Sequence, residues 1–153
     1  MKKYYTWENM ESYLADLMRM ITLDSFNPGV VIGPGRGGYI PGVMLSHYLN
    51  VPFEGFSWQT RDGDFEDSEQ LQTILNKYGN TDILVIDDIN DTGSTLTAIA
   101  EFINKNNNLY SDIRYATIFN KQSSSFDSVD YYAEEIELEN NNWIVFPYEE
   151  WWK

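Results

Sequence analysis

The residues whose types and order are most suggestive of chemistry lie in one run: Ile83-Leu84-Val85-Ile86-Asp87-Asp88-Ile89-Asn90-Asp91-Thr92-Gly93-Ser94-Thr95. An apolar strand runs straight into two adjacent carboxylates, and a third carboxylate, hydroxyls and a glycine follow. Hydroxyls and backbone N–H groups at the start of a helix make a cradle for phosphate. Gly93 lets the backbone approach a ligand closely. Asp87 and Asp88 can hold ribose hydroxyls or a hydrated magnesium ion. An ordinary helix cap would account for Thr92 or Ser94. It would not account for two carboxylates at the end of a buried strand.

A second run, Gly33-Pro34-Gly35-Arg36-Gly37-Gly38, follows the short strand Val30–Ile32. It satisfies the dinucleotide pattern G-x-G-x-x-G, with Glu54 as a candidate ribose carboxylate. Pro34 is unusual in such a turn, and Arg36 adds a positive charge that a dinucleotide fold does not require. Asp91-Thr92-Gly93-Ser94 also matches the aspartic protease tetrapeptide. That dyad needs two aspartates sharing a proton, and the chain carries one copy.

The elements that must position these runs alternate. Trp7, Met10, Leu14, Leu17, Met18 and Ile21 recur at helical spacing behind Thr6 as N-cap, and Asn27-Pro28-Gly29 ends that helix. Residues 40–49 read as a helix stopped by Asn50 and Pro52, and Phe53–Trp58 as a strand. Residues 59–69, with Asp62, Asp64, Glu66, Asp67 and Glu69, read as a mobile acidic loop. Ser68 caps a helix carrying Leu71, Ile74, Leu75 and Tyr78. Ile83–Ile86 has the unbroken apolar pattern of a strand covered on both faces. A helix carrying Leu96, Ile99, Phe102 and Ile103 stops at Asn106-Asn107-Asn108. Strands follow at Tyr115–Phe119 and Tyr131–Ile136, then an irregular aromatic tail from Trp143 to Trp152. The pattern predicts an α/β fold with a mostly parallel central sheet, as a single domain over residues 1–153. Ligands of such folds bind at the carboxyl ends of the strands.

Composition narrows the function. Cysteine is absent, which removes disulfides, thiolate metal sites and cysteine nucleophiles. The only histidine, His47, reads as a packing residue. A net charge of −14, with the Lys and Arg residues scattered, argues against nucleic acid as a partner. No apolar run is long enough for a membrane span, and Met1–Tyr5 lacks the apolar core of a signal peptide. The expectation is a soluble cytoplasmic protein, and the C-terminal aromatics leave a homo-oligomer contact open.

The Asp87–Thr95 segment resembles the phosphoribosyl pyrophosphate signature of the type I phosphoribosyltransferases. Arg36-Gly37-Gly38 with Pro41-Gly42 resembles the pyrophosphate loop of bacterial xanthine-guanine and hypoxanthine phosphoribosyltransferases, except that Gly35 stands where that family has serine. Thr117-Ile118-Phe119-Asn120-Lys121, and Trp143-Ile144 before Pro147, resemble its base-binding segments. Ser57-Trp58 resembles the Ser-Tyr pair that opens the family's flexible loop. The resemblance covers roughly residues 30–150. It implies the family fold, with a small hood over the sheet, and magnesium as cofactor. It also implies phosphoribosyl transfer to a 6-oxopurine (guanine, xanthine or hypoxanthine), the reaction of purine salvage.

The implied roles follow residue by residue. Residues Asp91, Thr92, Gly93, Ser94 and Thr95 hold the 5′-phosphate. Asp87 and Asp88 hold the ribose hydroxyls and metal. Arg36 and the amides around Gly37 hold pyrophosphate. Asp91 acts as general base near the purine N7, Lys121 donates to the 6-oxo group, Trp143 stacks on the base and Ile144 helps read its edge. A transferase for orotate, uracil or adenine, or a non-catalytic regulator binding phosphoribosyl pyrophosphate, are the alternatives. The family's loop is often basic, whereas residues 59–69 here are acidic.

Overall fold

The computed structural model describes residues 1–61, 64–66, 68–106 and 111–153. In chain order the elements are β1 (Lys2–Tyr4), α1 (Trp7–Leu23), β2 (Val30–Gly35), α2 (Tyr39–Leu49), β3 (Phe53–Ser57), β4 (Gln59–Arg61) and β5 (Asp64–Glu66). They continue with α3 (Ser68–Tyr78), β6 (Ile83–Asn90), α4 (Ser94–Asn106), β7 (Ile113–Lys121), β8 (Tyr131–Ile136) and β9 (Trp143–Val145). Five strands form the central sheet in the order β3-β2-β6-β7-β8, every pair parallel. The predicted α/β class with a parallel sheet is what the chain adopts.

Side chains of a strand alternate between faces, and here both faces are covered. Val30, Ile32, Ile83 and Val85 pack with Leu71, Ile74 and Leu75 of α3 and Leu96, Ile99 and Ile103 of α4. Val31, Leu84 and Ile86 pack with Leu14, Leu17 and Ile21 of α1 and Leu45 of α2. This explains why Ile83–Ile86 is apolar without interruption. Each such fully buried aliphatic side chain contributes roughly 1.5–3 kcal/mol. The predicted caps hold as well. Thr6 accepts from the Asn9 N–H at 3.1 Å, and Asn9 returns the bond to the Thr6 N–H at 2.9 Å. Asn50 closes α2 in the left-handed region at φ 54°.

Several expectations are corrected. Residues 59–61 and 64–66 form a short antiparallel pair of strands rather than a loop. Asp62 and Asp67 of that acidic stretch, and the helix-stop residues Asn107 and Asn108, lie outside the described residues. Ser68 is the first residue of α3, not the residue before it. His47 is exposed rather than packed. Trp58 is buried, with its ring edge-on to Phe56 and to Phe102.

Two strands are longer than the apolar pattern suggested, because pairing continues through polar and small residues. β2 runs on through Gly33, Pro34 and Gly35, opposite Gly55, Phe56 and Ser57 of β3. Its pairing with β6 covers only Val30–Ile32. Pro34 therefore sits where β2 has one partner, the setting in which a strand tolerates proline. β6 runs on to Asn90, with Ile89 opposite Phe119 and Asn90 opposite Asn120. Asp87 and Asp88 thus lie within the strand rather than after it.

The tail is not irregular throughout. Trp143–Val145 pairs in parallel with Lys2–Tyr4, joining the two ends of the chain in a separate two-stranded sheet. Tyr5, Met10 and Phe146 carry that small layer onto Ile118 and Phe119 of β7 and Ile136 of β8.

Candidate active site at the carboxyl edge of the sheet

Past Ile32 the pairing of β2 with β6 ends, while β2 continues toward α2 and β6 toward α4. The next strands, β3 and β7, lie on opposite sides of this pair. It is the topological switch point of the sheet, where ligands of open α/β folds bind. Two adjoining cavities occupy the region. The first, about 300 Å³, is lined by the continuous stretch Asp87–Gly93 with Thr95 and Leu96. The second, about 720 Å³, has Arg36, Gly37 and Tyr39 on one side and Tyr148 and Glu149 on the other. Asp88 lines both.

Asp87 and Asp88 are held where charge is costly. The Asp87 carboxylate accepts from the Asp88 N–H at 2.9 Å. Burial pushes the Asp87 carboxyl well above the usual range, and the neighbouring Asp88 charge adds to it. Burial likewise raises Asp88, partly opposed by the hydrogen bond it accepts from the Ile89 N–H. Two carboxylates forced together in a poorly solvated place favour a cation beside them. Among the described residues no group of three or more His, Cys, Asp or Glu side chains gathers as a metal site.

The loop from Asp91 to Gly93 is built for close approach. Gly93 has φ +91°, a region L residues rarely adopt, and a Cβ there would stand 2.5 Å from the Phe126 nitrogen. Ser94 donates its N–H to the Thr92 hydroxyl at 3.2 Å, and the Thr97 N–H bonds the Gly93 carbonyl as α4 begins. The segment after β7 buttresses this loop. Ser125 donates to the Thr92 carbonyl from both its N–H and its hydroxyl, each at 2.9 Å.

Asn90, buried, completes the buttress: its amide donates to Asn120 at 2.8 Å and to the Phe126 carbonyl at 2.9 Å, and its oxygen accepts from the Ser124 hydroxyl at 2.8 Å. Asn90, Ser124 and Ser125 were missed by sequence reasoning. The signal available was the serine run 123–125, one residue beyond Lys121. Gly93→Ala is expected to cost at least about 1–2 kcal/mol from the backbone conformation alone. The melting midpoint should fall by about 2–8 °C. An unchanged midpoint would contradict the tight loop described here.

Lys121, at the end of β7, reaches Asp91 with Nζ 2.6 Å from Oδ1, while the carboxylate remains half exposed. Arg36 stands exposed at the turn into α2, and the peptide bond joining Gly35 to it is cis. Gly37 lies so close to Asp88 that a Cβ would sit 2.6 Å from the carboxyl atoms. Across the second cavity the Tyr148 phenol donates to Asp88 at 3.3 Å. Burial and the Asp88 charge push that phenol far up, so it keeps its proton. The structure thus brings Arg36, Gly37, Asp87, Asp88, Asp91, Thr92, Gly93, Ser94, Thr95 and Lys121 to one edge of the sheet. Trp143 and Ile144 stand on β9 in the small two-stranded layer, and the Trp143 ring is largely exposed, at 66%. Tyr148 and Glu149 were not singled out from the sequence, although they lie just beyond the Trp143-Ile144 segment that was.

A parallel sheet with a carboxylate pair at its edge, beside a hydroxyl-rich loop opening a helix, defines an α/β protein with a ligand-sized cleft at the switch point of its sheet. A family model described as the phosphoribosyl transferase domain matches residues 1–151, and the chain belongs to that family: it is a phosphoribosyltransferase of the type I fold. Among solved structures, purine phosphoribosyltransferase from Pyrococcus horikoshii is 28% identical with a TM-score of 0.73, the match covering 97% of this chain and 94% of that one. The xanthine-guanine-hypoxanthine phosphoribosyltransferase of Helicobacter pylori is 19% identical with a TM-score of 0.75, covering 98% and 95%. A hypothetical protein from Neisseria gonorrhoeae, solved with bound ppGpp, is 19% identical with a TM-score of 0.77, covering 97% and 90%. No helix among the described residues is long and apolar enough to cross a membrane.

Proposed function

We propose that the protein transfers ribose 5-phosphate from phosphoribosyl pyrophosphate to a 6-oxopurine, releasing pyrophosphate. The observation that carries this reading is the pair of cavities meeting at Asp88. One is lined by Asp87–Gly93 with Thr95 and Leu96, and the other has Arg36 and Gly37 on its wall. The 5′-phosphate lies in the first, on the hydroxyls of Thr92, Ser94 and Thr95 and the N-terminus of α4. Asp87 and Asp88 take the ribose hydroxyls. The pyrophosphate lies toward Arg36 and Gly37. The base enters beside Lys121 and Asp91, with Trp143 and Ile144 offered by the hood. The similarity to purine-specific enzymes supports a purine.

Magnesium fits this site by its donor chemistry. It is commonly held by one or two carboxylates together with substrate oxygens and water, and Asp87 and Asp88 offer two crowded carboxylates whose charge needs a counterpart. When bound, it supplies positive charge to the departing pyrophosphate. The chain's own residues do the rest. The bond between the anomeric carbon and the pyrophosphate oxygen breaks as the purine nitrogen bonds to that carbon. Asp91 accepts the proton from N7, and Lys121 donates to the 6-oxo group. The protein and its substrate are both anionic, so the local cations Arg36 and Lys121 decide binding at short range. Salt screens the distant charges beyond about 10 Å.

Thermal melting tests the reading. Phosphoribosyl pyrophosphate at 100 times its dissociation constant, with magnesium, should add about 2.7 kcal/mol of stability. For a domain of this size the midpoint rises by about 5–11 °C. No rise at millimolar ligand and magnesium would overturn the assignment of the two cavities.

A further inference from the structure

We propose that Tyr148 is a positioning residue for Asp88, and that through it the β1–β9 layer carrying Trp143 and Ile144 is tied to the carboxylate pair of β6. The inference rests on the proposed function of the two cavities. Four observations converge on it. The Tyr148 phenol donates to Asp88 Oδ2 at 3.3 Å, a bond between residues 60 positions apart in the sequence. The backbone of Gly37 also comes so close to this carboxylate that a Cβ there would have no room. The carboxylate is therefore in contact with both the turn that carries Arg36 and the Tyr148 hydroxyl.

The third observation is that the phenol is itself fixed. Its ring lies parallel to Phe146 with centroids 5.4 Å apart, Phe146 packs on Phe119 of β7 at 5.7 Å, and Trp7 of α1 leans on Tyr148 from another side at 6.3 Å. The turn bearing Tyr148 is also closed twice. The Phe146 N–H donates to the Glu149 carboxylate at 2.7 Å, and the Glu149 N–H donates to the Phe146 carbonyl at 3.0 Å. Fourth, Tyr148, Asp88, Arg36 and Gly37 all line the larger cavity. The hydroxyl thus reaches the carboxylate where it faces the ligand space.

A carboxylate on a strand can rotate about its terminal torsion, because such sp³–sp² torsions are broad. One oxygen of Asp88 engaged by Tyr148 leaves the other at a defined bearing for a ribose hydroxyl or a bound cation. Loss of the phenol hydroxyl, with the ring kept, removes that restraint and leaves the aromatic stack in place.

The experiment is calorimetric titration of phosphoribosyl pyrophosphate with magnesium into four proteins: wild type, Tyr148→Phe, Asp88→Asn and the double variant. A hydrogen bond to a charged group usually counts for tenfold or more. The length of this one places the expected loss of affinity in Tyr148→Phe at about tenfold, with a melting midpoint within a few degrees of wild type. In steady-state assays the KM for phosphoribosyl pyrophosphate rises while the KM for the base stays within about twofold. Because Tyr148 acts through Asp88, adding Tyr148→Phe to Asp88→Asn should change little, a non-additivity expected of groups in direct contact. Binding by Tyr148→Phe equal to wild type overturns the inference. So does a full further loss in the double variant, which would assign Tyr148 to general stability. A wild type that binds nothing would instead overturn the function proposed for the cavities.

Discussion

Asp91→Asn is expected to lower turnover by roughly 10²–10⁴, the range for removal of a general base. The substitution keeps the side-chain shape and takes away the capacity to accept a proton. Asp91 is placed for the role. It opens the loop that follows β6, lies half exposed at the edge of the first cavity, and faces Lys121 across 2.6 Å. The two candidate base-handling groups are ion-paired with each other. A 6-oxopurine would take the place of that ion pair, giving an oxygen to Lys121 and a proton to Asp91.

Affinity for phosphoribosyl pyrophosphate in Asp91→Asn should stay within about tenfold of wild type, because the proposed binding mode rests the 5′-phosphate on hydroxyls and the start of α4. Single-turnover rates and calorimetric binding separate the two effects. Turnover within a few-fold of wild type would mean that another group, or none, moves the proton.

The second large effect concerns the choice of base. Guanine should be preferred to adenine by up to about 10⁴ in kcat/KM, the scale on which a site built around one hydrogen-bonding group rejects the wrong partner. The ammonium of Lys121 has donors and no acceptor. Guanine, hypoxanthine and xanthine each present an oxygen at the 6-position, whereas adenine presents an amino group. Adenine would take the acceptor away from a lysine whose side chain is only 23% exposed. Trp143 cannot make this choice, since every base has a π-face. The measurement is the guanine-to-adenine ratio in wild type and in Lys121→Ala. Efficient use of adenine by wild type would reject the 6-oxopurine assignment. A variant that keeps its full preference would assign the discrimination to another residue.

The parts of the fold legible from sequence are those written in local pattern. Ile83–Ile86 announces a strand covered on both faces because it packs against α3 and α4 on one side and α1 and α2 on the other. Thr6 and Asn50 announce helix ends because caps are local chemistry. The extension of β6 through Asp87 and Asp88 to Asn90 was not legible. It depends on pairing with Phe119 and Asn120, which lie on another strand. The layer of β1 and β9 was hidden for the same reason: three residues at each end of the chain carry no periodicity of their own.

The candidate site divides the same way. The Asp87–Thr95 run is contiguous and could be read at sight. The Asn90–Ser124–Ser125 buttress and the contact of Tyr148 with Asp88 join segments distant in sequence, and only folding brings them together. Lys121 lies between these cases: its place at the end of a strand was legible, but its pairing with Asp91 was not.

The most direct test of the central claim is product formation from phosphoribosyl pyrophosphate, magnesium and guanine, followed by chromatography of the nucleotide and parallel assay of pyrophosphate. The account predicts guanosine 5′-monophosphate and pyrophosphate in equal amounts, at a rate proportional to enzyme and abolished when phosphoribosyl pyrophosphate is omitted. Absence of any nucleoside monophosphate above the enzyme-free background, with guanine, hypoxanthine and xanthine each supplied in turn, would contradict it.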